Sequence, residues 1–274
     1  MSATETEKSS QTMVFRRTNA ETGRHISVTP ANSTNRHLSY GRIILRDGVE
    51  SVAFDTGGQE TGLLVLTGSA GVTVNDQGFD LDRHDAIYVP SNSSVQVSGS
   101  GADLAEFSSD VSGKYPLQVI RYADIASNPA LKFIAGEPGQ RRCVNIVIGK
   151  NVEAGRLLAG FTTSEPGNWT SWPPHEHAAM LEEMYMYFDM PEPGFAIQLV
   201  YDDTRYPELV TVVRDGDAVC MPSGYHPNVS VPGHRITFLW MMAAHRETED
   251  RQFGVVNVQP GFGAGGSGLE ASRK

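Results

Sequence analysis

His175 and His177 stand one residue apart, directly after Pro173 and Pro174. A β-strand returns its side chains to the same face every second residue, so both imidazoles leave one face of an extended segment. The two prolines exclude a helix at that point. A few residues later, Glu183 opens the run Glu183-Met184-Tyr185-Met186-Tyr187-Phe188, which is aromatic and has good strand propensity. Two imidazoles and a carboxylate converging from neighbouring strands suit a divalent first-row metal that keeps open coordination positions. A fourth ligand is available at His226, inside Pro222-Ser223-Gly224-Tyr225-His226-Pro227.

The elements that must hold these groups are strands. Strand-like segments separated by Gly, Asn and Asp recur at residues 39–46, 50–54, 63–66, 71–74, 86–89 and 95–97, and resume at residue 143. Such spacing predicts an all-β fold of antiparallel sandwich or barrel type. Helical periodicity is scarce, with one short turn expected at 122–128. The chain divides into a polar tail (1–13), a first unit (14–115), a Pro- and Gly-rich linker (116–142), a second unit (143–260) and a flexible Gly-rich terminus (261–274). The fold is expected to survive removal of that terminus. An internal echo pairs residues 84–91 with 216–223, where Asp85, Ala86, Pro90 and Ser91 match Asp217, Ala218, Pro222 and Ser223. The second copy runs on to His226, whereas Ser94 stands at that place in the first, and the first half has no His-x-His. One half is therefore read as equipped for a metal and the other as bare.

With 274 residues the chain can bury one large core or two medium ones without metal or disulfide staples. Its net charge of −10 argues against a nucleic-acid partner, because phosphate binding needs a basic face. An anionic small molecule stays admissible, since a metal and one or two arginines invert the local field. Cys143 and Cys220 make no disulfide framework and are read as reduced thiols in a cytoplasmic protein. No apolar N-terminal core marks a secretory signal, and no stretch is long enough to span a bilayer.

A glycine-led strand, His-x-His, a carboxylate, and Gly216-x5-Pro222-x-Gly224 leading to a third histidine resemble the two motifs of the cupin superfamily. More narrowly, residues 167–177, Glu182-Glu183-Met184-Tyr185 and Gly224-Tyr225-His226-Pro227 resemble the 5-deoxy-glucuronate isomerase family. Weaker similarity extends from about Arg36 to Asn257. The resemblance implies a bicupin with its metal in the second half. It also implies an aldose–ketose isomerase that converts 5-deoxy-glucuronate to 5-dehydro-2-deoxy-gluconate in inositol catabolism. The related 5-keto-4-deoxyuronate isomerase of pectin breakdown is the alternative, and residues 185–190 and 238–242 lean toward it. Glu182 has the usual cupin gap of four residues from His177, while the Glu-apolar-Tyr context matches Glu183, which is taken as the ligand.

Moving a proton between adjacent carbons builds negative charge on a carbonyl oxygen, which a divalent metal stabilises. Zinc is the default ion, with Mn, Fe, Ni and Co also compatible with three histidines and one glutamate. Glu182, Tyr185 and Tyr225 are the candidates for the proton shuttle. The substrate carboxylate calls for a bidentate arginine. Arg142 and Arg156 are preferred over Arg141 and Arg205 because they flank strands of the metal half, and Tyr187 is placed with them in the pocket. Trp169 and Trp172 are read as walling the pocket or a subunit contact. Glu60 and the histidines at 25, 37, 84, 234 and 245 are read as structural or solvated. A non-catalytic sugar-binding bicupin and an iron dioxygenase are the competing functional classes. Exposed sheet edges suggest a homo-oligomer.

Overall fold

The computed structural model describes residues 13–263 and 270–271. In the first half the strands are β1 (Val14–Phe15), β2 (Gly23–Val28), β3 (Leu38–Leu45), β4 (Ser51–Asp55), β5 (Gln59–Thr67), β6 (Ala70–Val74), β7 (Gln77–Leu81), β8 (Ala86–Val89), β9 (Ser94–Ser98) and β10 (Ala102–Asp110). Then come β11 (Gln118–Ile120), the helix α1 (Tyr122–Ser127) and β12 (Lys132–Ala135). The second half continues with β13 (Arg142–Ile148), β14 (Leu157–Ser164), β15 (Trp169–Thr170), β16 (His175–Glu176), β17 (Leu181–Tyr187), β18 (Ala196–Val200), β19 (Leu209–Val213), β20 (Ala218–Met221), β21 (Asn228–Ser230), β22 (Thr237–Ala244), β23 (Val255–Val258) and β24 (Glu270–Ala271). The described residues are thus almost wholly β, and every strand pair is antiparallel except β23–β24. No helix among them is long and apolar enough to cross a membrane.

The strand order repeats. One large sheet runs β11-β8-β5-β10-β3-β2 and the other β1-β20-β17-β22-β14-β13, with β12 added at its edge. The smaller sheets run β4-β9-β6-β7 and β15-β21-β18-β19 in the same correspondence. The sequence echo falls on β8 and β20, which pair with the equivalent strands β5 and β17.

Two expected boundaries move. β1 pairs with β20, so the start of the chain completes a sheet of the second half. The segment read as a linker carries β11, α1 and β12, and its two strands pair with β8 and β13. It buries Ile120, Ile125 and Ala135. Each large sheet has an edge that would otherwise expose backbone polar groups, and these segments cover it. Met13, assigned to the tail, is buried, and its carbonyl accepts the Cys220 N–H at 2.7 Å. The rest of that tail, and most of the Gly-rich terminus, lie outside the described residues.

Strand alternation sorts the core into layers. On β17, Met184 and Met186 join a cluster shared with Leu64, Tyr88 and Phe107 of the first half, so the two large sheets pack face to face. Tyr185 and Tyr187 of the same strand face the interior of the second half. The interior of the first half is filled by Ile43, Leu63, Val65, Val72, Ile87 and Val97. Each such buried side chain contributes roughly 1.5–3 kcal/mol.

Glu182 falls on the face that meets the other half. Its carboxylate accepts the backbone N–H groups of Arg36, His37 and Leu38 at 2.7, 2.8 and 2.6 Å. Glu60 on β5 does the same for Gly155, Arg156 and Leu157 at 2.7, 2.6 and 2.9 Å, and also accepts from Tyr88 Oη. The two buried carboxylates are reciprocal clamps at the starts of β3 and β14. Glu182→Ala leaves three backbone donors, one buried and two partly buried, without their acceptor and is expected to lower the free energy of urea unfolding by about 2–4 kcal/mol.

His84 lies where the halves meet, its ring centroid 4.6 Å from Phe161 and 5.1 Å from Tyr122. Burial first, then the charges of Arg83 and Lys132, push its pKa down to about 4. In the unfolded chain it titrates near its ordinary value of 6.5. Between those two values the unfolded state binds the extra proton, so stability falls as pH drops through that window. The urea midpoint of the wild type should therefore decline more steeply from pH 6.5 to 4 than that of His84→Gln.

Candidate metal centre and substrate cavity

Three of the four expected ligands converge. Nitrogen or oxygen atoms of His177, Glu183 and His226 lie within 4.8 Å of one another, and all three residues are buried. Glu183 comes from the middle of β17, where parity turns it away from Glu182 and into the second half. His177 follows β16, in a turn closed by the Leu181 N–H on His177 O at 2.9 Å. His226 lies in the link between β20 and β21. Gly224 precedes it at φ +86°, and a Cβ there would sit 3.1 Å from Tyr201 O. That close approach requires glycine.

The histidines are oriented by main-chain carbonyls. His175 Nδ1 lies 2.7 Å from Pro173 O, His177 Nδ1 3.2 Å from Leu181 O, and His226 Nδ1 2.9 Å from Gly224 O. A carbonyl only accepts, so each Nδ1 carries the proton and each Nε2 presents its lone pair. This is the outer hydrogen bonding that metal-bound histidines use. His177 Nε2 and His226 Nε2 stand 2.9 and 3.0 Å from the same oxygen, Glu183 Oε2. His226 Nε2 is buried and has no hydrogen-bond partner. Lone pairs aimed at a carboxylate call for a cation between them, so the donor set fits a divalent metal. Burial would raise the pKa of Glu183, but the two imidazoles packed against its carboxylate, His177 and His226, bring it down to about 2. Burial and the charge of His226 push His175 down to about 3, which keeps it neutral and able to ligate.

His175 stands outside that cluster but beside it, with its ring centroid 5.1 Å from His226 and 6.3 Å from His177. It lines, with Glu183, a cavity of about 70 Å³ that is partly open to solvent. Arg142, Ser171 and Tyr185 supply further polar groups, and Phe238, Trp240 and Met242 of β22 form an apolar wall. Gly160 makes room for that wall, since a Cβ there would meet the Trp240 ring at 2.3 Å. Tyr185 Oη and Ser171 Oγ are 2.7 Å apart. Burial raises the Tyr185 pKa well above 10, with the Glu183 charge adding to the effect. Arg142 donates to Gln140 O and Trp172 O at 3.0 and 2.7 Å, and burial lowers its pKa to about 10.

Four expected site residues lie elsewhere. Glu182 is the clamp on Arg36 to Leu38 and points out of the cavity. Tyr225 is absent from the cavity lining and packs its ring 5.7 Å from Tyr201. Tyr187 lies deeper in the core, where its hydroxyl donates to Gln198 Oε1 and accepts from Asn228 Nδ2 at 3.3 Å. Arg156 is spent on the carbonyls of Asp110, Ala244 and His245 at 2.6–2.8 Å, and so ties the halves together. Arg141 and Arg205 pair with Glu165 and Asp203 at the surface.

Sequence reasoning missed Ser171, Phe133 and Phe253 as cavity residues. Ser171 sits inside the motif already singled out, but its contact with Tyr185 follows from the bend before Pro173. Phe133 comes from the segment read as a linker, and Phe253 from a stretch without chemical pattern. Trp169 and Trp172, 5.2 Å apart, stand beside the cavity through the Trp172 carbonyl.

The chain is 28% identical to a 5-deoxy-glucuronate isomerase of Geobacillus thermodenitrificans over 241 residues, which is 81% of this chain and 86% of that protein. Its fold matches an IolB-like protein from Salmonella typhimurium with a TM-score of 0.80 at 23% identity, over 90% of this chain and 96% of that one. It also matches Bacillus subtilis oxalate decarboxylase, studied for its Mn(II) centres, with a TM-score of 0.60 at 16% identity, over 84% and 76% of the two chains. At those identities the solved structures speak for the fold alone, which is cupin-like. The model of the KduI/IolB family matches residues 13–256, nearly the whole described chain, and this protein belongs to that family.

Proposed function

We propose that the protein is a bicupin aldose–ketose isomerase that converts 5-deoxy-glucuronate to 5-dehydro-2-deoxy-gluconate at a divalent metal centre in its second half. The observation that carries the reading is the pair of imidazole Nε2 atoms meeting one carboxylate oxygen at the wall of a cavity that also holds Arg142. Membership of the family and the curated name of the Geobacillus relative support the substrate. The division into two cupin units, the first reaching to β11 and the second taking in β12 and β1, is supported by the repeated strand order and the strand pairing.

In the reaction a carbonyl passes from C1 to C2, the hydrogen on C2 moves to C1, and the hydroxyl proton on the C2 oxygen moves to the C1 oxygen. His177, Glu183 and His226, with His175, would hold a divalent ion that supplies Lewis acidity toward the substrate's oxygens. Zinc is our assignment because the reaction needs no redox change, and the donors also admit Mn, Fe, Ni or Co. Tyr185, held as a neutral phenol by burial, donates its proton to the C1 oxygen, and Ser171 returns to it the proton that the C2 hydroxyl gives up. Arg142 takes the substrate carboxylate. The apolar wall from β22 lies in a run that leans toward 5-keto-4-deoxyuronate isomerases, so that sugar acid is the second substrate to test. Association into a homo-oligomer is supported by the exposed Val210 and Val212 on β19, an edge strand.

Removal of a ligand separates the two neighbouring glutamates. Glu183→Gln should weaken zinc binding, measured by competition with a chelator, by at least about 100-fold, while Glu182→Gln leaves it within a few-fold. His177→Ala should abolish ketose formation from 5-deoxy-glucuronate with an unchanged far-ultraviolet circular dichroism spectrum. Full activity in that variant would rule out the isomerase site, and turnover-free binding of the sugar by the wild type would favour a storage role. Arg142→Ala should raise KM for the sugar acid by about 30-fold or more, as loss of a buried carboxylate partner costs about 2–5 kcal/mol.

A further inference from the structure

His175 is carried by the shortest strand that contributes to the donor set. Glu183 lies inside a seven-stranded sheet, and His226 is fixed between β20 and β21. β16, by contrast, is only two residues long, and Pro173 and Pro174 just before it have no N–H to pair. Its sheet partner is β23, in the register His175 to Val258 and Glu176 to Asn257. The segment 253–262 holds this strand along its length. Asn257 Nδ2 donates to Glu176 Oε1 at 2.5 Å, and the Gln259 N–H to Pro174 O at 2.9 Å. Tyr201 Oη donates to Gln259 Oε1 at 2.8 Å. At one end Phe253 stacks on Trp240 at 5.1 Å and lines the cavity; at the other, Phe262 meets Trp172 edge-on at 5.3 Å.

Resting on the metal reading above, we propose that residues 253–262 form a strap whose Asn257 and Gln259 are positioning residues for His175, holding β16 so that this histidine completes the donor set. The strap touches none of the other three ligands through a hydrogen bond among those described. Its two contacts, on Pro174 and Glu176, flank His175 on either side, so its effect on the metal passes mainly through that histidine.

The test is a double-mutant cycle on the full chain, stripped of metal and titrated with Co²⁺ alone. Asn257→Ala with Gln259→Pro removes the side-chain donor to Glu176, the N–H to Pro174 O and the acceptor for Tyr201. In the wild-type background this pair should weaken Co²⁺ binding by about 10–100-fold, the usual effect of losing an outer-shell support. In the His175→Ala background the further loss should shrink to a few-fold at most, because contacts that act mainly through one residue are not additive. The visible absorption of bound Co²⁺ in the strap variant should also match that of His175→Ala. Equal weakening in both backgrounds, or none in either, overturns the proposal. If the double variant does not fold, Asn257→Ala alone is run through the same cycle: a smaller loss confined to the wild-type background supports the strap, and an equal loss in both backgrounds, or none, overturns it. A wild-type chain that binds no Co²⁺ sinks the metal reading as well as the strap, whereas binding with additive losses removes the strap only.

Discussion

The structure depends on the two-residue period of β17. Adjacent glutamates on that strand leave opposite faces, so one sequence element does two jobs. Glu182 crosses to the other half and satisfies three consecutive backbone donors, fixing the strand against β3. Glu183 turns inward to meet His177 and His226. A one-residue slip would put one glutamate in the other's place and leave either the clamp or the site without its carboxylate. The clamp is thus what keeps the ligand in register, even though it touches neither the cavity nor the histidines.

The same architecture with different side chains explains why only one half carries a site. β5 and β17 occupy equivalent places, and Glu60 is the counterpart of Glu182. The residue that follows, Thr61, stands where the second half has Glu183. Valines, leucines and isoleucines fill the rest of that interior. An apolar filling stabilises the half by hydrophobic burial and leaves no polar groups to hold an ion. The first half then serves as a packing partner through the shared face of the large sheets.

The strands and the convergence of His177, Glu183 and His226 are legible in the sequence because both follow local rules. Alternation marks β6 and β9, the prolines exclude a helix before His175, and His-x-His sets two imidazoles on one side. The echo between residues 84–91 and 216–223 marks β8 and β20 as counterparts. The segment 116–142 reads as a linker because its prolines and charges hide three short elements whose burial depends on partners distant in sequence. Arg156 and Tyr187 are misplaced for a related reason: residue type indicates what a side chain can bind, and only tertiary packing decides what it does bind. Spacing cannot settle Glu182 against Glu183, since an added residue in the turn after His177 shifts the count without changing the parity of β17.

The central claim is that imidazole nitrogens and a carboxylate oxygen, and no sulfur, surround one divalent ion. X-ray absorption at the zinc edge of the loaded protein addresses it directly. The account predicts a shell of nitrogen and oxygen scatterers at about 2.0–2.2 Å with the multiple-scattering pattern of coordinated imidazoles. A sulfur shell at about 2.3 Å, or a spectrum without imidazole features, would contradict it.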